Sequence, residues 1–181
     1  MPSNRPDVAP EVKRQEIRSA ARSLFFSEGF DKTSVARIAK AAGVTPNTLY
    51  WYYAGKEQLF AAVVEELTGL FFLGLENRDP QEPVRETLAW VVEAMQAAQP
   101  LIVTLHEKAR TSDAIADVHE RFHTEVATLI GERLRARGVD EARMPAIIHI
   151  VSFSVEGLLM HELVPAERQA VIEEMAAQLF G

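Results

Sequence analysis

The sequence predicts an all-α chain of about nine helices, a small N-terminal head followed by a larger helical body. Three observations predict it. Apolar residues recur at helical spacing in one segment after another. Glycine and proline fall between those segments, at Gly29, Gly43, Pro80, Pro83, Pro100, Gly138 and Pro165. Charge is split unevenly along the chain. Residues 1–56 hold nine Lys/Arg against five Asp/Glu, an excess of +4, and residues 57–181 hold ten against twenty-one, an excess of −11. A basic head on an acidic body concentrates attraction for polyanions at one end.

Composition narrows the chemistry. The chain has 181 residues, 48% of them hydrophobic, enough for a sizeable core. It has no cysteine, which removes disulfides, thiolate metal sites and thiol nucleophiles. The first fifteen residues lack the apolar run of a signal peptide. The longest apolar run, around Ile147 to Met160, is shorter than a membrane span and carries His149 and Glu156. A cytoplasmic protein with no membrane segment is the simplest expectation.

Residues 1–10 read as a polar arm, with Arg5, Lys13 and Arg14 available to a nucleic-acid backbone or minor groove. The first helix spans about Glu11 to Gly29, with Ile17, Ala20, Ala21, Leu24 and Phe25 on one face and Arg14, Arg18 and Arg22 on the other. The next stretch organises the head. Ser34 to Ala42 forms a short helix with Val35, Ile38, Ala39 and Ala42 inward, and Gly43 ends it. Thr45 is a good N-cap and Pro46 suits the first helical position. The helix that follows, Asn47 to Tyr53, is too short to stand alone, so Leu49 and Tyr53 must anchor it. Pro46, Asn47, Thr48, Tyr50, Trp51 and Tyr52 are left to point elsewhere.

Two short helices about a tight turn form a helix-turn-helix, whose second helix lies in the DNA major groove. Asn pairs bidentately with adenine, and Thr and Pro pack on a thymine methyl. On this reading Pro46, Asn47, Thr48 and Trp51 face bases, while Tyr50, Tyr52 and Lys56 hold phosphates. Ser34, Arg37 and Thr45 complete the DNA-binding set. The alternative is an ordinary helical hairpin whose aromatics fill a core.

The run from Gly43 to Phe60, GVTPNTLYWYYAGKEQLF, resembles the signature of the TetR (tetracycline-repressor) family: Gly-Val-Ser/Thr, Leu-Tyr-x-Tyr/His-Phe, then Lys-Glu-x-Leu. The resemblance extends upstream through TSVARIAKAAG and the Ile17–Phe30 segment, about the first third of the chain. Ala36 stands where the family often has Arg, and Pro46-Asn47 where Lys-Gly is frequent. The resemblance implies a DNA-binding domain over residues 1–56 and an effector-binding and dimerisation domain over 57–181. It implies a transcriptional regulator, a repressor, that holds a palindromic double-stranded operator as a homodimer and is released by a small hydrophobic effector.

The body supplies the remaining elements. Helices are expected at Lys56–Asn77, Val84–Gln99, Leu101–Arg110 and Ala114–Arg137, with a break at residues 77–83 and an interruption at Pro100. Met144–Val164 is apolar almost all round, so both sides need cover. Glu167–Phe180 carries Val171, Ile172, Met175, Ala176 and Leu179 on one stripe. This last pair is the expected homodimer surface, with a central buried helix in a monomer as the alternative. The residues expected to line an effector pocket are Phe72, Trp90, Met95, His106, Phe122, His123 and Phe153, each of which also suits a plain core.

One further motif competes. His119-Glu120-Arg121-Phe122-His123 is a literal H-E-x-x-H, whose two His can bind zinc while the Glu activates water. A zinc-dependent hydrolase is therefore the alternative function. Charged flanks and the lack of an extended third-ligand motif weigh against it. The primary reading has no metal, no cofactor and no catalytic residue.

Overall fold

The structure is a computed structural model, and it describes residues 10–79 and 81–180. Arg5 and Pro80 lie outside the described residues, and so does the side chain of Leu179. The described residues form nine helices and no strand. In order they are α1 (Pro10–Glu28), α2 (Val35–Ala41), α3 (Pro46–Tyr52), α4 (Lys56–Glu76), α5 (Val84–Ala97), α6 (Gln99–Lys108), α7 (Asp113–Ala136), α8 (Met144–Met160) and α9 (Pro165–Phe180).

The chain divides into two compact units. One comprises the N-terminal residues through Leu67 together with Val103–Val118, and the other comprises Thr68–Ile102 and His119–Gly181. The expected boundary after Lys56 falls inside the first unit. The opening residues of α4 extend its core, since Leu59, Phe60 and Val63 are fully buried.

The first unit is built on α1 to α3 and the start of α4. Ile17, Ala21 and Phe25 of α1 are buried at the predicted spacing, with Ile38 and Ala39 of α2 and Leu49 of α3. Phe25, Phe30 and Phe60 form a triangle of edge-on and tilted rings, 5.1 to 5.5 Å between centroids. Such pairs add to what their buried area contributes. The cationic face of α1 is used internally. The Arg18 Nε donates to Glu66 at 2.8 Å, and Arg22 lies 3.7 Å from the same carboxylate.

The second unit has a core of Leu88, Val92, Leu134, Met144, Ile147, Val151, Val155, Leu158, Ile172 and Met175. α5, α8 and α9 pack together to form most of it. The all-apolar helix is shorter than expected. α8 stops at Met160, where the amide of His161 closes the last turn on the Gly157 carbonyl and its own backbone turns extended. Pro100 does not separate two helices either. α5 ends at Ala97, and Pro100 sits in the first turn of α6, where a missing N–H costs nothing.

Among the described residues, α4 is both long and apolar. At 21 residues it has the length and composition to cross a membrane. Its Leu59, Phe60, Val63 and Leu75 are buried, while Leu70 and Leu73 are exposed.

Gly43 has φ +65°, and a Cβ there meets nothing within 4 Å. Replacing it with Ala therefore adds backbone strain without a clash. Gly43→Ala should destabilise the chain by about 1–2 kcal/mol, and Thr45→Ala, which removes the α3 cap, by about 1 kcal/mol. Urea unfolding followed by circular dichroism checks both; an unchanged midpoint for Gly43→Ala contradicts the corner geometry.

Candidate nucleic-acid interface and helical-domain cavity

The corner between α2 and α3 is built from local interactions. The Ser34 hydroxyl accepts the Arg37 amide at 3.2 Å and caps α2. The amides of Gly43 and Val44 close on the Lys40 and Ala39 carbonyls. Thr45 caps α3 by accepting the Thr48 amide at 3.1 Å, and the two threonine hydroxyls lie 2.9 Å apart. Three of the polar residues expected at DNA thus also hold the corner together.

α3 is pinned by Leu49, fully buried, and by Tyr53 immediately beyond its end, which is nearly so. Burial raises the Tyr53 phenol above its ordinary pKa, against the opposing pull of Arg18 and Arg14. Its hydroxyl donates to the Arg14 carbonyl at 3.4 Å. The rest of α3 faces out. Trp51 is 73% exposed, Tyr50 is 52% exposed, and Pro46 and Asn47 are exposed, while Thr48 and Tyr52 are half-buried. The Trp51 and Tyr52 rings meet edge-on at 4.8 Å. Arg14 lies over the Tyr52 ring at 5.7 Å and donates to the Tyr52 carbonyl at 3.3 Å.

Two of the cations in the expected set are already engaged. Arg37 is exposed and pairs with Glu28, whose hydrogen bond raises the guanidinium pKa. Lys56 donates to the Phe30 carbonyl at 2.9 Å, with its ammonium 4.1 Å from the Phe30 ring centroid. A phosphate at Lys56 has to share or displace that bond. The sequence offers no signal for it, because Phe30 lies 26 residues upstream. Beside it, Lys108 pairs with Asp31 at 2.8 Å and so holds the Asp31 carboxyl below its ordinary pKa.

The second unit encloses a cavity of about 110 Å³. Its walls are mainly apolar, with Phe71, Phe72, Leu88, Val91, Met95, Phe122, Val126, Leu129, Ile130 and Val151 among them. Of the residues expected to line a pocket, Phe72, Met95, Phe122 and His123 do so. Trp90 does not; it stacks on Phe71 at 5.6 Å and 21°, and the Arg78 guanidinium lies 5.3 Å from its ring centroid. Phe153 does not either. It is 67% exposed on the outer side of α8, where periodicity could not separate inner from outer apolar positions. His106 lies half-buried on α6 in the first unit and is not among the cavity residues.

The cavity also has polar walls that the sequence did not single out. Arg133 in the last turn of α7 and Arg137 just past its end contribute to it, as do Thr87, Ser152 and Glu156. In a sequence these arginines read as an ordinary wet helix face. His123 lies 3.8 Å from Glu156, and its Nε2 lies 3.1 Å from that of His119, so the two H-E-x-x-H histidines hydrogen-bond to each other. Glu120, the would-be base, is exposed.

Comparisons with known proteins follow this geometry. Residues 17–63 match the family described as "Bacterial regulatory proteins, tetR family". The chain is similar to the HTH-type transcriptional regulator AcrR of Shigella flexneri, 38% identical over 87 residues, 45% of this chain and 40% of that protein. It is also similar to the HTH-type transcriptional repressor NicS of Pseudomonas putida, 28% identical over 124 residues, 66% of this chain and 57% of that one. The chain thus spans about half the length of these curated relatives. Among solved structures it superposes on a transcriptional regulator from Rhodococcus with a TM-score of 0.79 at 14% identity, covering 92% of this chain and 95% of that one. Salmonella enterica GusR gives 0.76 at 19%, covering 97% of each. AcrR and NicS are both named as transcription regulators.

Gly74 lies against Trp90, which is not among the cavity residues. A Cβ there comes within 2.9 Å of Trp90 Cζ2, a ring already held by Phe71 and Arg78. Ala gains about 1 kcal/mol of helix propensity over Gly, but crowding a packed ring costs about 1–3 kcal/mol. Gly74→Ala should therefore destabilise the chain and shift Trp90 emission in a Trp51→Phe background. A more stable variant with unchanged emission contradicts this packing.

Proposed function

We propose that this chain, a member of the TetR family, is a ligand-responsive transcription regulator, a repressor, that binds a palindromic operator as a homodimer. The observation that carries the reading is the exposure of Trp51, Tyr50 and Asn47 on a helix that only Leu49 and Tyr53 tie to the interior. An element with so little hold on its own core and so much aromatic and amide surface suits a major groove. Pro46, Asn47, Thr48 and Trp51 read bases. Tyr50, Tyr52 and Lys56 hold phosphates, and Ser34, Arg37 and Thr45 flank them. The basic excess of residues 1–56 supports the same end of the chain.

Residues 57–181 serve effector binding and dimerisation. The cavity is the effector site. A ligand that prefers a state with misplaced heads lowers operator affinity by that preference. α4 is the covalent route for the change, since it begins in the first unit and ends in the second. The dimer forms through α8 and α9. Ile150, Phe153, Met160, Val164 and Val171 are apolar and exposed in the single chain, a surface that a second copy would cover. Two heads then read half-sites about one helical turn apart, roughly 34 Å. A protein acting on bacterial DNA works in the cytoplasm.

Fluorescence anisotropy with DNA from upstream of the chain's own gene, against a random duplex of equal length, tests the reading. Asn47→Ala should cost about 1–3 kcal/mol on the specific site and leave random DNA unaffected. Lys56→Ala should weaken both and reduce the salt slope by about 1. Equal losses for Asn47→Ala on both duplexes contradict the base-reading assignment.

A further inference from the structure

The helical-domain cavity carries an inference that rests on its reading as the effector site and goes on to the chemistry of the ligand. Its walls are mainly apolar, yet two guanidinium groups reach it, from Arg133 in the last turn of α7 and from Arg137 just past its end. Arg133 is half-buried and Arg137 is exposed, which places the second at the solvent side. Among the described residues, the hydrogen bond that Arg133 makes is a long one, 3.5 Å to the Leu75 carbonyl. Arg137 donates back to the Arg133 carbonyl at the same distance, which supplies no negative charge.

The carboxylate whose field reaches Arg133 is Glu82, and it is taken. Arg78 binds both its oxygens, the second at 2.6 Å, and the Thr87 hydroxyl donates to it at 2.6 Å. These bonds hold Glu82 below its ordinary pKa. Burial, with the like charge of Arg137 beside it, lowers the pKa of Arg133, yet arginine stays charged. The other polar pair at the cavity is His123 and Glu156, 3.8 Å apart, on the α7 and α8 walls. A partly desolvated cation is thus left at an apolar wall with no carboxylate hydrogen-bonded to it among the described residues, a costly arrangement that an incoming anion relieves.

We propose that the cavity binds a small organic anion, with its apolar body between Phe72, Phe122, Val126 and Ile130 and its carboxylate on Arg133 and Arg137. The planar guanidinium fork suits a carboxylate in bidentate fashion. The volume of about 110 Å³ fits a body on the scale of one aromatic ring or a short branched chain. The anionic end, not the apolar body, distinguishes the ligand from a plain hydrophobic effector.

The test is isothermal titration of the full chain, without DNA, with benzoate and phenylacetate and with the matched neutral probes benzamide and phenylacetamide. At least one acid should bind about tenfold more tightly than its amide, as charge-assisted hydrogen bonds predict. Arg133→Gln should abolish that advantage, Arg133→Lys should keep part of it, and Arg137→Gln should reduce it. Amides that bind as well as the acids overturn the proposal, as does the absence of binding by any probe. An acid preference that survives in folded Arg133→Gln overturns it too. The wild-type comparison of acid with amide needs no variant to fold. Operator binding is measured separately, so loss of the anion preference with intact operator binding sinks this inference and leaves the regulator reading standing.

Discussion

A helix of seven residues cannot hold itself in water, and α3 has only Leu49 within it and Tyr53 immediately beyond it to fix it in place. That constraint governs the head. With those two buried, Pro46, Asn47, Tyr50 and Trp51 are left exposed, while Thr48 and Tyr52 are half-buried. The Gly43 corner and the Thr45 cap set where α3 starts, and Phe25, Phe30 and Phe60 form a ring-on-ring cluster in the core of the same unit. The presented face is a consequence of where the anchors are. It owes little to helix propensity, which cannot sustain so short an element.

The same cluster limits how freely the head can recruit charge. Lys56 and Lys108 both lie near the Phe30 ring, and Lys56 also satisfies the Phe30 carbonyl. Arg18 and Arg22 are drawn to Glu66, and Arg37 to Glu28. Much of the basic excess that marks the N-terminal residues is therefore spent inside the protein's own ion pairs. Affinity for a polyanion through such a surface depends on exchanging those partners for phosphate. Surface pairs are weak enough for the exchange to be cheap.

How much was legible followed the range of the interaction. The corner was legible because each of its signals is local: glycine at a positive φ, a threonine cap, a proline in the first turn and two anchors four residues apart. The nine helices followed from periodicity and punctuation for the same reason. What failed needed partners distant in sequence. Phe153 and Ile147 look alike on an all-apolar helix, yet one is exposed and the other buried. Arg133 and Arg137 look like solvated surface until Phe72, Met95 and Val151 are brought beside them. The end of α8 at Met160 coincides with the end of the apolar run at His161-Glu162, but neither residue is a helix breaker, and the next strong stop signal is Pro165.

The account depends most on Trp51 being outside the interior for a partner's sake. In a Trp90→Phe chain, Trp51 is the sole tryptophan, and acrylamide quenching reads its accessibility directly. The duplex to use is one that the chain itself selects from a random-sequence pool. The account predicts strong quenching in the free chain and marked protection at saturating duplex. A tryptophan already shielded in the free chain, or one equally quenched in the saturated complex, would contradict it.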